Sequence, residues 1–319
     1  MVDGFQKYRC KTCHSQFIPD KVKRKLKGYP KCPVCSRATY IWHRYNTYIH
    51  FKCGNKRCNH SFKKPITPPK ELLEDSEIKG KVSFKSFRFP PHIVFTALYL
   101  YFDANVSSRK ARRFLSRNYN IVISHVTICQ WAKVFAPWFS EISKEIIETL
   151  VLKSDEWHVD ETFIRINGIT HYLWVLIDSE TRVVISFILT ATRCSDSAYK
   201  LLYKAKTLTK DEPAVIVSDS LASYNFSIRA LYENSLHHNY ESFEDYLNNN
   251  FIESFNNTFK DWYKTKRGFK SFASALALIT VFMFHYNFIR PHGSLKDVTP
   301  ANVAGFQTNE NRVNNWLLF

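Results

Sequence analysis

The hydrophobic and polar positions change rhythm along the chain, and each rhythm predicts a different element. Residues Glu156–Ile166 are rich in Val, Thr, Phe and Ile and read as a strand. Asn167 and Gly168 follow as a hairpin signal. Residues 172–177 predict a second strand, 178–181 a turn and 183–190 a third strand. Ser195–Leu208 has helical spacing, with Ser195 expected at its N-cap, and 214–217 predicts a short buried strand. Three antiparallel strands, a helix and a further strand make a mixed α/β layout.

Upstream the pattern is helical. SSRKARRFL at 107–115 is a capped, basic helix start, and 118–120 breaks it. A second helix starts at Ser124, with Val126, Trp131 and Val134 expected near one face and Thr127, Gln130 and Lys133 on another. Residues 104–140 hold six Lys/Arg and no acid. Two helices with a tight break and a polar exposed face predict a helix-turn-helix. Its DNA contacts are expected from Arg109, Lys110, Arg112, Arg113, Thr127, Gln130 and Lys133. The longest apolar run, 276–289, is interrupted by His285 and Asn287 and is too short to span a bilayer. No secretory leader is read at the start, so a cytoplasmic, nucleoid-associated protein is expected.

Composition sharpens this picture. The chain has 319 residues, 45% hydrophobic and 16% aromatic, enough for a sizeable core and against a disordered chain. Its formal net charge is +17, and residues 1–70 hold 17 Lys/Arg against 2 Asp/Glu. The remainder is almost neutral, so a basic module is attached to a balanced body, which favours an anionic polymer as partner. The expected order is a zinc ribbon region at 1–64, a linker at 65–85, the helix-turn-helix domain at 86–150, a catalytic domain at 151–290 and a C-terminal tail at 291–319.

Six of the eight cysteines precede residue 60, as Cys10 and Cys13, Cys32 and Cys35, then Cys53 and Cys58. In a reducing compartment such pairs mean metal, since a short loop bends two thiolates onto one Zn²⁺. Two partitions stand open: Cys10 and Cys13 with Cys32 and Cys35, or Cys32 and Cys35 with Cys53 and Cys58. A second zinc would use His43, His50 or His60 beside the leftover pair. The ion is expected to be structural, because a segment this small cannot fold on its core alone. Cys129 and Cys194 read as buried packing.

Three acids suit a different metal. Asp160 lies in the middle of a β-rich run, where a carboxylate is disfavoured. Asp219 ends an apolar strand, the end at which α/β sheets present chemistry. Glu253 lies on a helix beside Phe251, Phe255 and Phe259, spaced by four. Carboxylates converging from separate elements hold Mg²⁺ or Mn²⁺, as phosphodiester chemistry requires. Glu161 is expected on the opposite face of its strand, and Asp155 and Asp178 are expected to play no part. Lys260, Lys264, Lys266, Arg267 and Lys270 would track phosphates. Trp262, Tyr263 and Phe269 among them could stack on unpaired bases or pack onto the sheet.

Residues 86–305 resemble the DDE transposases of the family-six insertion-sequence type. The resemblance rests on RFP at 88–90, SHVTI at 124–128 with Trp131, HVDET at 158–162, VSDS at 217–220, NNFIES at 249–254, RGFKSF at 267–272, IRPH at 289–292 after Tyr286 and Asn287, and TPA at 299–301. The spacings of 59 and 34 residues between Asp160, Asp219 and Glu253 agree with it. The chain departs at 254–257, SFNN, where many relatives carry a charged Asp-His-Arg run. The resemblance implies an RNase H-like mixed-sheet catalytic domain, preceded by the zinc ribbon and the helix-turn-helix. It implies Asp160, Asp219 and Glu253 as catalytic Mg²⁺ ligands and Lys260 as a DNA contact. The substrates implied are double-stranded DNA at terminal inverted repeats and at the target, handled by a homodimer or larger synaptic multimer. The rival reading is a non-catalytic zinc-containing DNA-binding regulator or an inactivated relic.

Overall fold

The computed structural model describes residues 8–9, 11, 16–17, 28–74, 87–152, 154–209, 212–219, 221–239, 250–307 and 316, with backbone alone at 16, 17 and 222. Cys10 and Cys13 lie outside the described residues. The chain forms two compact units, 1–68 and 69–319.

In the first unit β1 (Tyr8–Arg9) pairs antiparallel with β2 (Gln16–Phe17). A three-stranded antiparallel meander follows, β3 (Thr39–Arg44), β4 (Tyr48–Cys53) and β5 (Ser61–Pro65). Its described core is small: Cys32, Tyr48, Phe51 and Cys53 are buried, with Phe62 stacked on Phe51.

The second unit opens with α1 (Lys70–Leu73), inside the segment expected to be a linker; Leu73 packs against the core, and Lys200 bonds the Glu74 carbonyl. Next come α2 (Pro91–Phe102), α3 (Ser108–Tyr119) and α4 (His125–Ile147). Pro91 sits at the first position of α2, where its missing N–H costs nothing. Ser107 and Ser124 cap α3 and α4 by accepting bonds from Lys110 and Val126 backbone N–H groups. Asn120 ends α3 in the left-handed conformation. The buried stripe of α4 is Ile128, Trp131, Ala132, Phe135 and Phe139. Val126 and Val134, expected beside Trp131, are exposed instead. At about 100° per residue, both valines fall more than about 100° from the centre of that stripe, on the side away from the core.

The sheet comprises β6 (Glu156–Ile166), β7 (Ile169–Asp178), β8 (Val184–Thr190), β9 (Val215–Ser218) and β10 (Leu236–Asn239), in the order β10-β9-β6-β7-β8. β6, β7 and β8 are antiparallel, whereas β9 runs parallel to β6 and β10 parallel to β9. Asn167 and Gly168 both have positive φ, as a tight hairpin between β6 and β7 needs. Between the strands come α5 (Ser195–Leu208), after β8, and α6 (Ala222–Leu231), after β9. Cys194, not Ser195, is the N-cap of α5, and it makes no capping side-chain bond. β10, a fifth strand, has no counterpart in the sequence reading.

The last elements are α7 (Asn250–Lys264), α8 (Phe272–Phe288) and α9 (Pro300–Val303). Helix α8 is buried on all sides, and Phe139 of α4 stacks on its Phe284 with centroids 4.1 Å apart. Two of its buried polar residues bond through their side chains. Asn287 bonds both the N–H and the C=O of Val184, and His285 Nε2 lies 3.1 Å from Asp103 Oδ1. Trp316 is buried among Phe95, Phe139, Phe284 and His285. After α7, Gly268 (φ +91) passes so close to β6 that a Cβ would meet the Arg165 carbonyl oxygen at 3.1 Å. That approach lets the Phe269 N–H bond Arg165 and its carbonyl bond Asn167.

Candidate carboxylate site and cysteine centre

The pairing of β6 with β9 decides where the acids meet. The last rung joins Val159 to Ser218, so Asp160 and Asp219 are the next residues on two parallel strands where those strands part. The ligand oxygens of Asp160, Glu161 and Asp219 all lie within 4.8 Å of one another. Asp160 and Glu161 lean to different helices. Asp160 Oδ2 accepts a bond from Asn256 Nδ2 of α7 at 2.8 Å, whereas Glu161 accepts from Tyr224 of α6 and from Arg193, which precedes α5. The expectation that alternation removes Glu161 is thereby corrected. The β6–β9 ladder ends at Val159 and Ser218, just before the three acids.

Arg193 is the cation of the site. It is paired with Glu161 and also reaches Asp219 Oδ2 at 3.4 Å. Asp219 Oδ1 accepts the Leu221 N–H, the turn that leads into α6. Burial, then the negative charge of Glu161, pushes the Asp160 carboxyl up to about 7. Burial also raises Glu161, against the opposing pull of its Tyr224 bond.

Helix α7 lies along β6. The Phe251 ring meets His158, Asn256 meets Asp160, and Lys260 Nζ bonds the Phe163 carbonyl at 2.7 Å. Contacts at 158, 160 and 163 taken by 251, 256 and 260 mean that helix and strand run the same way. Glu253, half-buried in the first turn, lies between the first two of these contacts. It is not one of the three acids within 4.8 Å.

Residues 154–292, which include all three sequence-predicted acids, match the family model described as a DDE domain. The likeness to a DDE domain belongs to this stretch, which is less than half of the chain. The transposase for insertion sequence-like element IS431mec of Staphylococcus aureus is 28% identical over 142 residues, which cover 44% of this chain and 60% of that protein. The transposase for insertion sequence element IS257 in transposon Tn4003, also from Staphylococcus aureus, matches with the same identity and coverage. The chain thus spans about three fifths of the length of these relatives. Similar solved structures include a chain of the simian T-cell lymphotropic virus intasome in complex with PP2A regulatory subunit B56 gamma, with TM-score 0.37, 15% identity and coverage of 50% of this chain and 56% of that one. The HTLV-2 integrase catalytic core domain in complex with magnesium has TM-score 0.35, 12% identity and coverage of 48% and 95%.

The basic residues expected on DNA fall into distinct settings. Within the matched stretch Lys264 and Arg267 are exposed, with Lys264 3.4 Å from Asp261. Lys260 is committed to the Phe163 carbonyl and lies 3.9 Å over that ring. Lys266 is turned inward: its amine bonds the Tyr101 carbonyl and sits 3.5 Å over the Tyr101 ring, and burial pulls it down to about 7. It is therefore not placed as a free phosphate contact. Trp262 and Phe269 are buried, and the Tyr263 hydroxyl accepts the Arg165 N–H, so these three rings pack rather than await bases. Outside that stretch Arg109, Lys110, Arg113 and Gln130 are exposed, and Thr127 and Lys133 are half-buried. Arg112 Nε bonds the Ile123 carbonyl and pins α3 to the turn before α4.

In the first unit Cys32, Cys35, Cys53 and Cys58 gather, with Sγ atoms of 32 and 58 at 3.8 Å and of 35 and 53 at 3.4 Å. This is the second of the two partitions left open by the sequence. A disulfide needs about 2.05 Å, whereas thiolates about 2.3 Å from one tetrahedral ion lie about 3.8 Å apart. The four sulfurs fit Zn²⁺. The Arg37 backbone N–H pulls Cys35 down to about 7, toward the thiolate that binds metal. His43, His50 and His60 are not part of the cluster.

The sequence reading did not pick out Arg193, Tyr224 or Asn256. Asn256 lies in the 254–257 run where the chain leaves its family's pattern, which was a usable signal. Arg193 and Tyr224 carry none, because only the folded sheet brings them to Glu161.

Proposed function

We propose that the protein is a transposase: a polynucleotidyl transferase that cleaves DNA at insertion-sequence ends and joins those ends to target DNA. The carrying observation is the meeting of Asp160 and Asp219 where β6 and β9 part, within the stretch that matches a DDE domain. The antiparallel β6-β7-β8 followed by parallel β9 supports an RNase H-like reading of this mixed sheet.

The donor set suits a hard divalent cation, Mg²⁺ or Mn²⁺. It consists of carboxylate oxygens alone, crowded at a half-buried edge where their mutual repulsion is what a cation offsets. When bound, such ions neutralise charge on the phosphate and activate the attacking oxygen. Asp160 and Asp219 would hold them, with Glu253 contributed by the first turn of α7. Asn256 keeps the Asp160 carboxylate oriented from the helix side. Glu161, anchored by Tyr224, holds Arg193 at the site's edge, where its guanidinium suits a phosphate oxygen.

The remaining parts read as DNA-handling. Helices α3 and α4 are proposed as the helix-turn-helix, with Arg109, Lys110, Arg113, Thr127, Gln130 and Lys133 toward duplex DNA. The cysteine cluster is proposed to hold structural Zn²⁺. Terminal inverted repeats and target DNA are the proposed substrates, bound by a dimer or larger multimer in the cytoplasm.

The test uses DNA carrying candidate element ends. Wild-type protein should yield cleaved and joined products with Mg²⁺ and none with EDTA. Asp160→Asn should still bind the DNA and yield neither product. Equal product from the variant overturns the catalytic reading and leaves a DNA-binding regulator.

A further inference from the structure

The three-stranded sheet of the first unit has two unlike faces. On β4, Phe51 and Cys53 are buried, and His50 and Lys52 alternate with them onto the other side. The register carries that other side across the sheet: Tyr40 pairs with Lys52, His43 with His50, and His50 with Lys63. Trp42 is the extra residue where the register of β3 shifts between Ile41 and His43. Its ring joins the same face, 5.0 Å from the His50 ring and with Lys52 Nζ 4.6 Å from its centroid. Tyr40 and Trp42 keep 46% and 45% exposure, on a strand at the sheet's edge. Large aromatic rings left this open beside ammonium groups need an occupant that is both anionic and flat.

We propose that this face binds single-stranded nucleic acid, with Tyr40 and Trp42 stacking on unpaired bases and Lys52 and Lys63 contacting phosphates. The surplus of 17 Lys/Arg over 2 Asp/Glu in residues 1–70 supplies the attraction for a polyanion. A duplex offers the rings nothing comparable, since its bases are already stacked and show only their edges in the grooves. Stacking on exposed aromatics is tolerant of sequence, so the face discriminates strand state rather than base identity. It belongs to the first unit and does not depend on the transposase reading.

The test measures anisotropy of a fluorescein-labelled oligothymidylate, and of a duplex of the same length, with the full chain and no added Mg²⁺. The pair Tyr40→Leu with Trp42→Leu should weaken single-strand binding at least about tenfold and leave duplex binding unchanged. Trp42→Phe should restore most of the affinity, because the stacking surface returns. Lys52→Gln with Lys63→Gln should weaken both ligands and flatten the salt dependence. Both aromatics are half exposed, so zinc content and far-ultraviolet spectrum should match wild type. Single-strand affinity that survives the leucine pair overturns the proposal. So does a parallel loss of duplex binding, which would make the face a duplex-binding surface, or an oligothymidylate that wild type does not bind.

Discussion

The cysteine centre draws four thiols from two short loops of a unit whose described core is a few side chains, two of them the ligands Cys32 and Cys53. The carboxylate centre draws its acids from neighbouring strands of a sheet that is already packed by α5, α7 and α8, with α4 behind α8. In the first region the ligands are part of the core; in the second they stand on it. Soft sulfurs on all four sides leave a closed, tetrahedral place that stabilises its surroundings. Burial, with the negative charge of Glu161 behind it, pushes the Asp160 carboxyl up to about 7, and Arg193 reaches two of the crowded acids. Unit 2 tolerates that crowding because its stability comes from elsewhere. On the proposed reading, metal ligands would serve structure in one unit and reactivity in the other.

The sharpest way to break this comparison is to remove the soft metal. Structural zinc contributes about 10–16 kcal/mol in small finger peptides, more than a core of this size could replace. Chelation, or Cys53→Ser, should unfold the first unit while the helices and sheet of the second keep their melting transition. Circular dichroism and hydrogen exchange, followed separately for residues 28–68 and 87–307, check this. Protection of β3, β4 and β5 that persists in zinc-free protein would show that the cysteines are ordinary packing.

At the carboxylate edge the effects should fall on activity and spare folding. Glu253→Gln is expected to bring strand cleavage below detection and to weaken Mn²⁺ binding, with an unchanged melting temperature. Glu161→Gln should cost only about 10–100-fold, as changes to groups behind metal ligands do. Both of its oxygens are already taken, one by Tyr224 and one by Arg193, so its part is to hold the guanidinium. If the two variants exchange these outcomes, the third ligand is Glu161, and α7 supplies Asn256 rather than an acid.

Much of this was legible in the residues because each element advertised itself locally. The strand Glu156–Ile166 and the helix Ser195–Leu208 appear with the bounds their patterning predicts. Asp160 and Asp219 betrayed themselves as carboxylates at apolar strand positions. What stayed hidden depends on contacts distant in sequence. Glu161 was set aside by alternation, but its ligand oxygen lies within 4.8 Å of those of Asp160 and Asp219, held by Tyr224 and Arg193 from distant elements. Lys266 counted as a phosphate contact by charge alone, but the fold turns it onto Tyr101, 165 residues away. β10 has a polar sequence, Leu-His-His-Asn, with no strand signature, and exists because β9 offers it a parallel edge.

If the second unit really stands on its own packing, its stability should answer to polar pins in that core and ignore both metals. Asn287 is the clearest pin. It is buried in a mostly apolar helix, and its amide closes two bonds, 2.9 Å each, on the N–H and C=O of Val184. The register of β7 against β8 shifts beside this point, between Leu176 and Ile177, so Val184 needs partners that the regular ladder does not provide. Asn287→Leu matches the size of the side chain and strands both backbone groups. At about 1–3 kcal/mol for each unsatisfied buried group, a loss of roughly 2–4 kcal/mol is expected, since β8 can recover part by shifting. Urea denaturation should find that loss equally with and without zinc, and with and without Mg²⁺. A loss that vanishes when either metal is removed would tie the sheet's stability to a ligand centre and erase the distinction between the two regions.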